Sequence, residues 1–346
     1  MKNITLTAID TSKNVFSIRC ENHAGRIVCR KTLSREGLPS FLRSLPKGST
    51  VVMEACGGSH HLAGECKELG LEAKMISPQF VAPFRMSQKN DDNDADAIST
   101  AAKQVGMRFV SRKSQEQLEI QMLHRTRERY MKTRTALINQ TRGFLSEVGI
   151  VFPKGVTAFM KGVKKLLADS PETKMLTRLL QTLMSELLMV DQLIEDVNLE
   201  IERSAKSNPV CKELRKIRSV GVLISSAIAS AVANPHDFKN GRNFAASLGL
   251  VPRQHSTGGK HKLGSITKCG DGYLRKLLVH GARSVIFHAV KKQKTDPLSL
   301  WIRRLYDKHG ANHVAVALAN KTARHLWGVL AGKQPQPFHE LAGATA

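Results

Sequence analysis

The stretch Ile4-Thr5-Leu6-Thr7-Ala8-Ile9-Asp10 decides the N-terminal fold, because a run of apolar and β-branched residues ends there at an acid. Such a run is typical of a buried strand. Residues 15–20 (VFSIRC) alternate and predict a second strand, and residues 27–32 (IVCRKT) predict a third after a turn at 22–25. We therefore expect the chain to begin with a three-stranded meander.

Working outward from this meander, the pattern alternates between helix and strand. Residues 34–44 predict a short helix capped by Ser34, and residues 51–55 (VVMEA) predict a fourth strand. A helix and a fifth strand at 73–76 follow, and the chain becomes helical again after Asn90. This order predicts an α/β layout around a mixed sheet.

The rest of the chain reads as mainly helical. Apolar residues recur every three or four positions between 115 and 206, interrupted at Pro153 and Gly155. The pattern over 176–201 fits a coiled-coil or helical-hairpin seam, and it fits ordinary bundle core equally well. From about residue 211, helical pieces alternate with glycine-bearing turns, and residues 252–272 read as a polar loop.

The charge balance points to a polyanionic partner. The 346-residue chain has a formal net charge of +24, and residues 208–346 hold 22 Lys and Arg against 6 Asp and Glu. Such an excess attracts nucleic acid at long range. No apolar run reaches the ~18 residues of a membrane span, and no secretory signal is evident, so we expect a soluble intracellular protein without membrane contact. The six cysteines form no CxxC pair, which argues against zinc.

Four acids of the N-terminal segment form a candidate metal site. Asp10 and Glu54 come at the ends of the first and fourth strands, and Asp91 and Asp94 share one face of the following helix. A ribonuclease-H-like sheet brings those strand ends together, and Mg²⁺ or Mn²⁺ would neutralise the converging carboxylates. Two such ions support phosphodiester chemistry. Taken singly, Asp10 fits a turn or a cap, and Asp91 and Asp94 fit a helix-dipole contact. Glu54 is harder to explain in this way, because burying an unpaired carboxylate in an apolar strand is costly.

The motifs around these acids resemble those of a known family. Residues 9–13 (IDTSK), 53–57 (MEACG) and 89–95 (KNDDNDA) look like the three N-terminal motifs of the DEDD transposases of the insertion-sequence one-ten family, and most of all its eleven-eleven subgroup. Residues 248–260 (LGLVPRQHSTGGK) and 263–278, which include LGSITKCGD and LRKLL, resemble the second domain of that family.

The resemblance implies a three-part chain. Residues 1–110 would form a ribonuclease-H-like domain related to Holliday-junction resolvases, 111–207 a helical coiled-coil linker, and 208–335 a mainly helical transposase domain, with a tail at 336–346. It also implies Mg²⁺ (or Mn²⁺) held by the four acids, a serine nucleophile that joins covalently to DNA, a structured bridge RNA that guides the choice of donor and target, and a homo-oligomer between dimer and tetramer.

The nucleophile position departs from the family pattern. Relatives have serine directly before the glycine, whereas here Thr257 precedes Gly258 and Ser256 comes one residue earlier. We favour Ser256, because a primary hydroxyl is less hindered, and Thr257 stays open. The basic residues near this loop are candidate nucleic-acid contacts: Arg253, His255, Lys260, Lys262, Lys268, Arg275 and Lys276.

The sequence thus predicts a bridge-RNA-guided transposase or recombinase that cuts and rejoins double-stranded DNA in a prokaryotic cytoplasm, associated with the nucleoid when it acts. One alternative is a junction-resolving, metal-dependent endonuclease, which would hydrolyse DNA without a hydroxyl nucleophile. The other is a non-catalytic nucleic-acid-binding protein whose acidic cluster is structural.

Overall fold

The computed structural model describes residues 3–86, 91–169, 173–258, 260 and 262–333, and it leaves the side chains of Asp91 and Asp92 undescribed. The contacts divide the chain into two units. Unit 1 covers Met1–Ser114 and Val232–Lys239, and unit 2 covers Gln115–Ala231 and Asn240–Ala346. The predicted 111–207 linker and 208–335 domain fall mostly within unit 2, so a boundary between them stays a prediction. The predicted tail lies outside the described residues.

Within the described residues, unit 1 is built on a six-stranded mixed sheet with the order β3-β2-β1-β4-β5-β6. The predicted meander forms β1 to β3, and β4 and β5 add parallel strands beside β1. A two-residue strand, β6, closes the edge antiparallel to β5. The strands are β1 (Leu6–Thr11), β2 (Val15–Glu21), β3 (Ile27–Ser34), β4 (Thr50–Glu54), β5 (Glu72–Ile76) and β6 (Phe109–Val110).

The sheet buries a separate apolar cluster on each face. Ile9 and Met53 pack with leucines of α1 and α2 on one face. Ala8 and Val52 pack on the other face with Ile98 of α4. The helices of unit 1 are α1 (Leu38–Arg43), α2 (Ser59–Glu68), α3 (Pro78–Val81) and α4 (Asp91–Ala102), with 3-10 turns at Ala82–Phe84 and Pro235–Asp237.

The first helix begins later than the sequence predicted. Ser34 is the last residue of β3, where it pairs with Val15, so its backbone belongs to the sheet and does not cap a helix. Helix α1 starts at Leu38, with Gly37 at the N-cap position. The predicted cap was wrong because the β2–β3 ladder extends farther than the alternating pattern indicated.

Unit 2 is mainly helical, so the prediction of a mixed sheet followed by a helical remainder is confirmed. Leucines of α7 pack against α5 and α6 in one apolar cluster that includes Leu145, Phe159 and Leu187. The apolar stripe predicted over 176–201 is therefore largely buried within the chain itself. The helices are α5 (Gln115–Glu147), α6 (Val156–Ala168), α7 (Lys174–Ser207), α8 (Pro209–Leu214), α9 (Val222–Ala231), α10 (Gly241–Ser247), α11 (Gly272–Lys291) and α12 (Pro297–Leu330).

Helix α12 is broken at Gly310, whose φ of 75° is a left-handed value that favours glycine. The Lys321 ammonium lies 4.6 Å from the centre of the Trp301 ring. About twenty residues of straight helix would separate these groups by about 30 Å. The two halves of α12 therefore fold back on each other.

The segment predicted as a polar loop contains a short hairpin, formed by β7 (Pro252–Gln254) and β8 (Leu263–Ile266). Its residues are mostly exposed, so they carry no alternation of apolar and polar residues that would have revealed a strand. Among the helices that the structure describes, none is long and apolar enough to cross a membrane.

Candidate functional site

Asp10 and Glu54 lie beside each other at the ends of two parallel strands. Ile9 of β1 pairs with Met53 of β4, so the next residue of each strand is one of the two acids. Side chains alternate between the faces of a sheet. Asp10 and Glu54 therefore share the face on which the earlier β1 and β4 residues pack against α4. Both acids are partly exposed.

Helix α4 brings a third predicted acid to this face. It packs against β1, β2 and β4. Asp94 is only 6% exposed, and the Arg85 guanidinium forms an ion pair with its carboxylate. Asp91 begins the same helix, but its side chain lies outside the described residues. The structure thus collects three of the four predicted acids on one side of the sheet.

These acids fit a hard divalent cation in their donor chemistry, because Mg²⁺ and Mn²⁺ prefer carboxylate oxygens. Among the side chains that the structure describes, no three carboxylates, imidazoles or thiols already form a group that could hold a metal ion. Asp94 is engaged by Arg85 instead. Sequence reasoning did not single out Arg85, and its position just before the KNDDNDA motif is the only sequence signal that could have indicated it.

Asp96 has a different role from its neighbours in the acidic run. Its carboxylate lies 2.7 Å from Arg19 and 2.8 Å from Arg30, on strands β2 and β3. Burial acts to raise the pKa of Asp96, but the contacts with Arg30 and Arg19 outweigh it and lower the pKa below its ordinary value. Asp96 therefore connects α4 to the meander.

The second predicted part of the site is the β7–β8 hairpin of unit 2. Ser256 is exposed, and its Oγ accepts a hydrogen bond of 2.8 Å from the Gln254 side-chain amide. Thr257 is also exposed and forms an isolated bridge with Lys260. Both hydroxyl groups thus lie near the tip of the hairpin. Gly259 and His261 lie outside the described residues.

The predicted basic contacts divide into two groups. The side chains on the hairpin are exposed, and the His255 amide donates to the Lys262 carbonyl across it at 2.9 Å. This group consists of Arg253, His255, Lys260 and Lys262. Outside the hairpin, Lys268 is exposed with a φ of 56°, and Lys276 binds Glu128 at 2.9 Å.

Arg275 anchors the segment that carries the hairpin. Its guanidinium donates to the Leu248 carbonyl at 2.9 Å and to the Cys269 carbonyl at 3.2 Å, one before and one after the hairpin. Gly270 has a φ of 77°, and a Cβ there would lie 1.8 Å from the Ser247 carbonyl oxygen. The close approach of the chain at Gly270 to Ser247 therefore requires glycine. Arg275 holds together the two segments on either side of the hairpin.

The chain is similar to known proteins over almost its whole length. Residues 7–150 match the DEDD transposase model of the IS110 group, described as "Transposase", and residues 211–296 match "Transposase IS116/IS110/IS902 family". A probable family 20 transposase of Pseudomonas aeruginosa is 40% identical over 331 residues, which span 95% of this chain and 97% of that protein.

Two further relatives have similar coverage. The transposase for insertion sequence element IS1111A of Coxiella burnetii is 40% identical over 332 residues, spanning 95% of this chain and 90% of that protein. The transposase for insertion sequence element IS1328 of Yersinia enterocolitica is 38% identical over 333 residues, spanning 95% of this chain and 97% of that protein.

Proposed function

The chain belongs to the IS116/IS110/IS902 family of insertion-sequence transposases, and from this membership we propose that it cuts and rejoins double-stranded DNA by phosphodiester transfer through a covalent serine–DNA intermediate. The observation that carries the proposal is the common sheet face of Asp10, Glu54 and Asp94. The strand order around this face is the basis for proposing that unit 1 has a ribonuclease-H-like fold.

The proposed metal ligands are Asp10, Glu54, Asp91 and Asp94. A bound Mg²⁺ or Mn²⁺ would supply Lewis-acid stabilisation of charge on the phosphate oxygens. The β1–β4 pairing places the first two carboxylates side by side, and α4 supplies the other two. Arg85 contacts one oxygen of the Asp94 carboxylate, so a cation bound by Asp94 would share this carboxylate with the arginine or displace it.

The proposed nucleophile is the Ser256 hydroxyl. A bond forms between its Oγ and the phosphorus while a bond from phosphorus to a sugar oxygen breaks, and the serine proton passes to a base. His255 is the adjacent candidate for that base. The exposed cations of the hairpin, including Lys260 and Lys262, can stabilise the charge that develops on the phosphate.

Three further features belong to the proposal. A structured bridge RNA would select donor and target DNA, and a dimer or tetramer would combine the acidic site of one subunit with the serine of another. The enzyme would act on the nucleoid in a prokaryotic cytoplasm. The excess of basic over acidic residues in 208–346 supports a nucleic-acid partner of this kind.

The decisive experiment looks for a covalent adduct. Purified protein is incubated with Mg²⁺, the flanking non-coding RNA and matching DNA, and is then denatured and resolved by electrophoresis. We expect a protein–DNA adduct in the wild type and Thr257→Ala, but none in Ser256→Ala. Loss only in Thr257→Ala would move the nucleophile by one residue. Cleaved DNA without any adduct would indicate the hydrolytic junction-resolving nuclease instead.

A paired substitution tests the acidic part. Asp10→Ala should abolish strand cleavage and leave DNA binding largely intact, whereas Asp96→Asn should still cleave, because Asp96 is held by Arg19 and Arg30. Normal cleavage by Asp10→Ala would remove that residue from the site. DNA binding without cleavage by the wild type under all metal conditions would favour the non-catalytic alternative.

A further inference from the structure

The second half of α12 carries a cluster of buried cations in unit 2. Lys321, Arg324 and His325 lie three and four positions apart, so they share one face of the helix. Lys321 is only 3% exposed and His325 only 6%. Arg324 is partly buried, and its Nε atom has no hydrogen-bond partner among the described residues. Lys321 and His325 are thus turned towards the protein, whereas Arg324 remains partly exposed.

Within the described part of the chain, neither Lys321 nor Arg324 forms an ion pair with a carboxylate. The Lys321 ammonium lies over the face of the Trp301 ring, 4.6 Å from its centre. An aromatic face attracts a cation but carries no net charge. Two acids of the same unit are bound elsewhere, since Asp296 contacts Arg218 at 2.6 Å and Asp271 contacts Arg125 at 3.4 Å.

The packing of α10 adds another positive charge to the cluster. A Cβ on Gly241 would lie 3.0 Å from the Arg324 carbonyl oxygen, so the start of α10 contacts α12 directly and brings Arg242 beside Arg324. Burial and the Arg242 charge lower the pKa of Arg324. Burial and the Arg324 charge likewise lower the pKa of Lys321. These cations therefore disfavour one another in the isolated chain.

A buried charge without a counter-charge is costly, so proteins pair it or use it to bind something. The Arg324 Nε is a buried donor without an acceptor, and Lys321 has no carboxylate partner among the described residues, so an acceptor with several oxygens and a negative charge fits this cluster. A phosphate group meets both needs, because it accepts charge-assisted hydrogen bonds from more than one cation.

The cluster is also connected to the hairpin that carries Ser256. Asn320, the neighbour of Lys321, donates from its side-chain amide to the Leu250 carbonyl at 3.0 Å. Leu250 lies two residues before β7, the first strand of that hairpin. An anion held at the cluster would thus lie against the segment that leads into the proposed nucleophile, which favours DNA over RNA as its source.

We propose that Lys321, Arg324 and Arg242 bind a non-scissile backbone phosphate of the DNA that reaches the Ser256 hairpin, an inference that rests on the transposase function proposed above. The single negative charge of the phosphate offsets part of the positive charge of these side chains, and the contact holds the strand in register with the hairpin. Phosphate contacts of this kind set position and are independent of base sequence.

The first test measures DNA binding without chemistry, in EDTA. The affinity of full-length protein for a duplex carrying an end of the element is measured by fluorescence anisotropy over a series of KCl concentrations. The slope of log K against log salt should become shallower by about one in Lys321→Met and in Arg324→Met. Methionine keeps the apolar contact of Lys321 with Trp301.

Lys216→Gln is the matched control, because it removes one charge from the same unit at an exposed lysine already bound to Glu213 at 2.7 Å. Its slope should equal that of the wild type. Equal slopes in the wild type, Lys321→Met and Arg324→Met would overturn the inference. If the wild type itself fails to bind DNA, the proposed function fails, and the inference fails with it.

The second test uses inorganic phosphate as the probe and checks that the variants fold. Phosphate should raise the melting temperature of the wild type and of Lys216→Gln above its value in chloride at equal ionic strength, since a ligand of the native state stabilises it. Phosphate also stabilises any folded protein by salting out, and this part of the rise in melting temperature should remain in Lys321→Met. Only the additional rise that comes from binding at the cluster should disappear in this variant. An identical rise in all three proteins would overturn the inference. So would anisotropy measurements in which Lys321→Met loses affinity for RNA and keeps that of the wild type for DNA.

Discussion

Glu21 in unit 1 and Lys321 in unit 2 are both almost fully buried, at 1% and 3% exposure, but their surroundings are opposite. Glu21 accepts a hydrogen bond from Ser99 at 2.5 Å and contacts Lys103 at 2.9 Å and Arg19 at 2.8 Å. The Lys321 ammonium lies over the ring of Trp301, and its charged neighbour is the positive Arg324. One buried charge is neutralised by the chain and the other is not.

This difference distinguishes a buried charge that stabilises the fold through partners within the chain from one that is available to an external ligand. The Glu21 network ties β2 to α4, because the buried carboxylate has two cations and one hydroxyl group as partners. Lys321 and Arg324 have no carboxylate partner among the described residues, so their burial costs free energy that an anionic partner would offset. Burial alone would have grouped the two residues together.

The largest effect should come from breaking the closed network. Glu21→Gln removes the carboxylate of Lys103 and one of the two carboxylates that contact Arg19, and we expect it to destabilise unit 1 by about 3 kcal/mol. Hydrogen exchange of β2 amides and thermal melting would measure the loss. Glu72→Gln is the control on β5, because its contact with Lys74 is exposed and should contribute at most about 1 kcal/mol. Equal losses in both variants would contradict the network's role.

A pH-dependent effect of about 3 kcal/mol is expected in unit 2. Burial, with the charges of Arg127 and Arg125, lowers the pKa of His124 from 6.5 to about 4. The unfolded chain then binds the proton more readily, so this stability is fully present above pH 6.5 and is lost as the pH falls towards about 4. The ring remains neutral between the Tyr273 and Ser226 hydroxyls, at 2.9 and 3.0 Å.

The measurement is the melting temperature against pH for the wild type and His124→Gln. The variant should show a flatter dependence between pH 6.5 and 4. A residual slope is expected from His325, because burial and the charges of Lys321 and Arg324 also lower its pKa to about 4. Parallel curves for the two proteins would remove His124 as a source of the pH dependence.

A smaller change in the free energy of unfolding, of opposite sign, should come from Lys321. Lys321→Met removes a buried charge that Arg324 disfavours, so the variant should be more stable than the wild type by about 1 kcal/mol in chloride. Chemical denaturation followed by circular dichroism would check this. A clear loss of stability would mean that the Trp301 contact compensates the ammonium, and the comparison with Glu21 would then no longer hold.

The smallest effect is expected at an exposed pair. Lys216 and Glu213 lie 2.7 Å apart with side chains that are 72% and 55% exposed. Lys216→Gln should change the free energy of unfolding by no more than about 1 kcal/mol, because water and salt screen such a pair. A larger change in the same denaturation assay would show that distance rather than burial governs these interactions here.

Much of the fold followed from local pattern. The strands of the meander and the parallel strands were predictable because each buries β-branched and apolar residues. The β7–β8 hairpin and the two-residue β6 were missed, since exposed or very short strands leave no periodic signal. Ser34 was misassigned because helix-cap chemistry and the end of a ladder look alike in sequence.

The common sheet face of the candidate acids was predictable in part for a similar reason. Asp10 and Glu54 end strands, and parallel neighbours bring such ends together. Helix spacing placed Asp94 near them, but it did not indicate that Arg85 binds Asp94 or that two strand arginines hold Asp96. Those partners come from elements distant in sequence, and no local rule selects them.

The sequence by itself determined the order of the first five strands, the strand-end positions of Asp10 and Glu54 and the basic excess after residue 208, because these depend on neighbours along the chain. Only the tertiary structure decided which charges are paired. Lys103 reaches Glu21 across 82 positions, and the break at Gly310 folds Lys321 onto Trp301. The electrostatic free energy of a buried group depends on the groups around it in space.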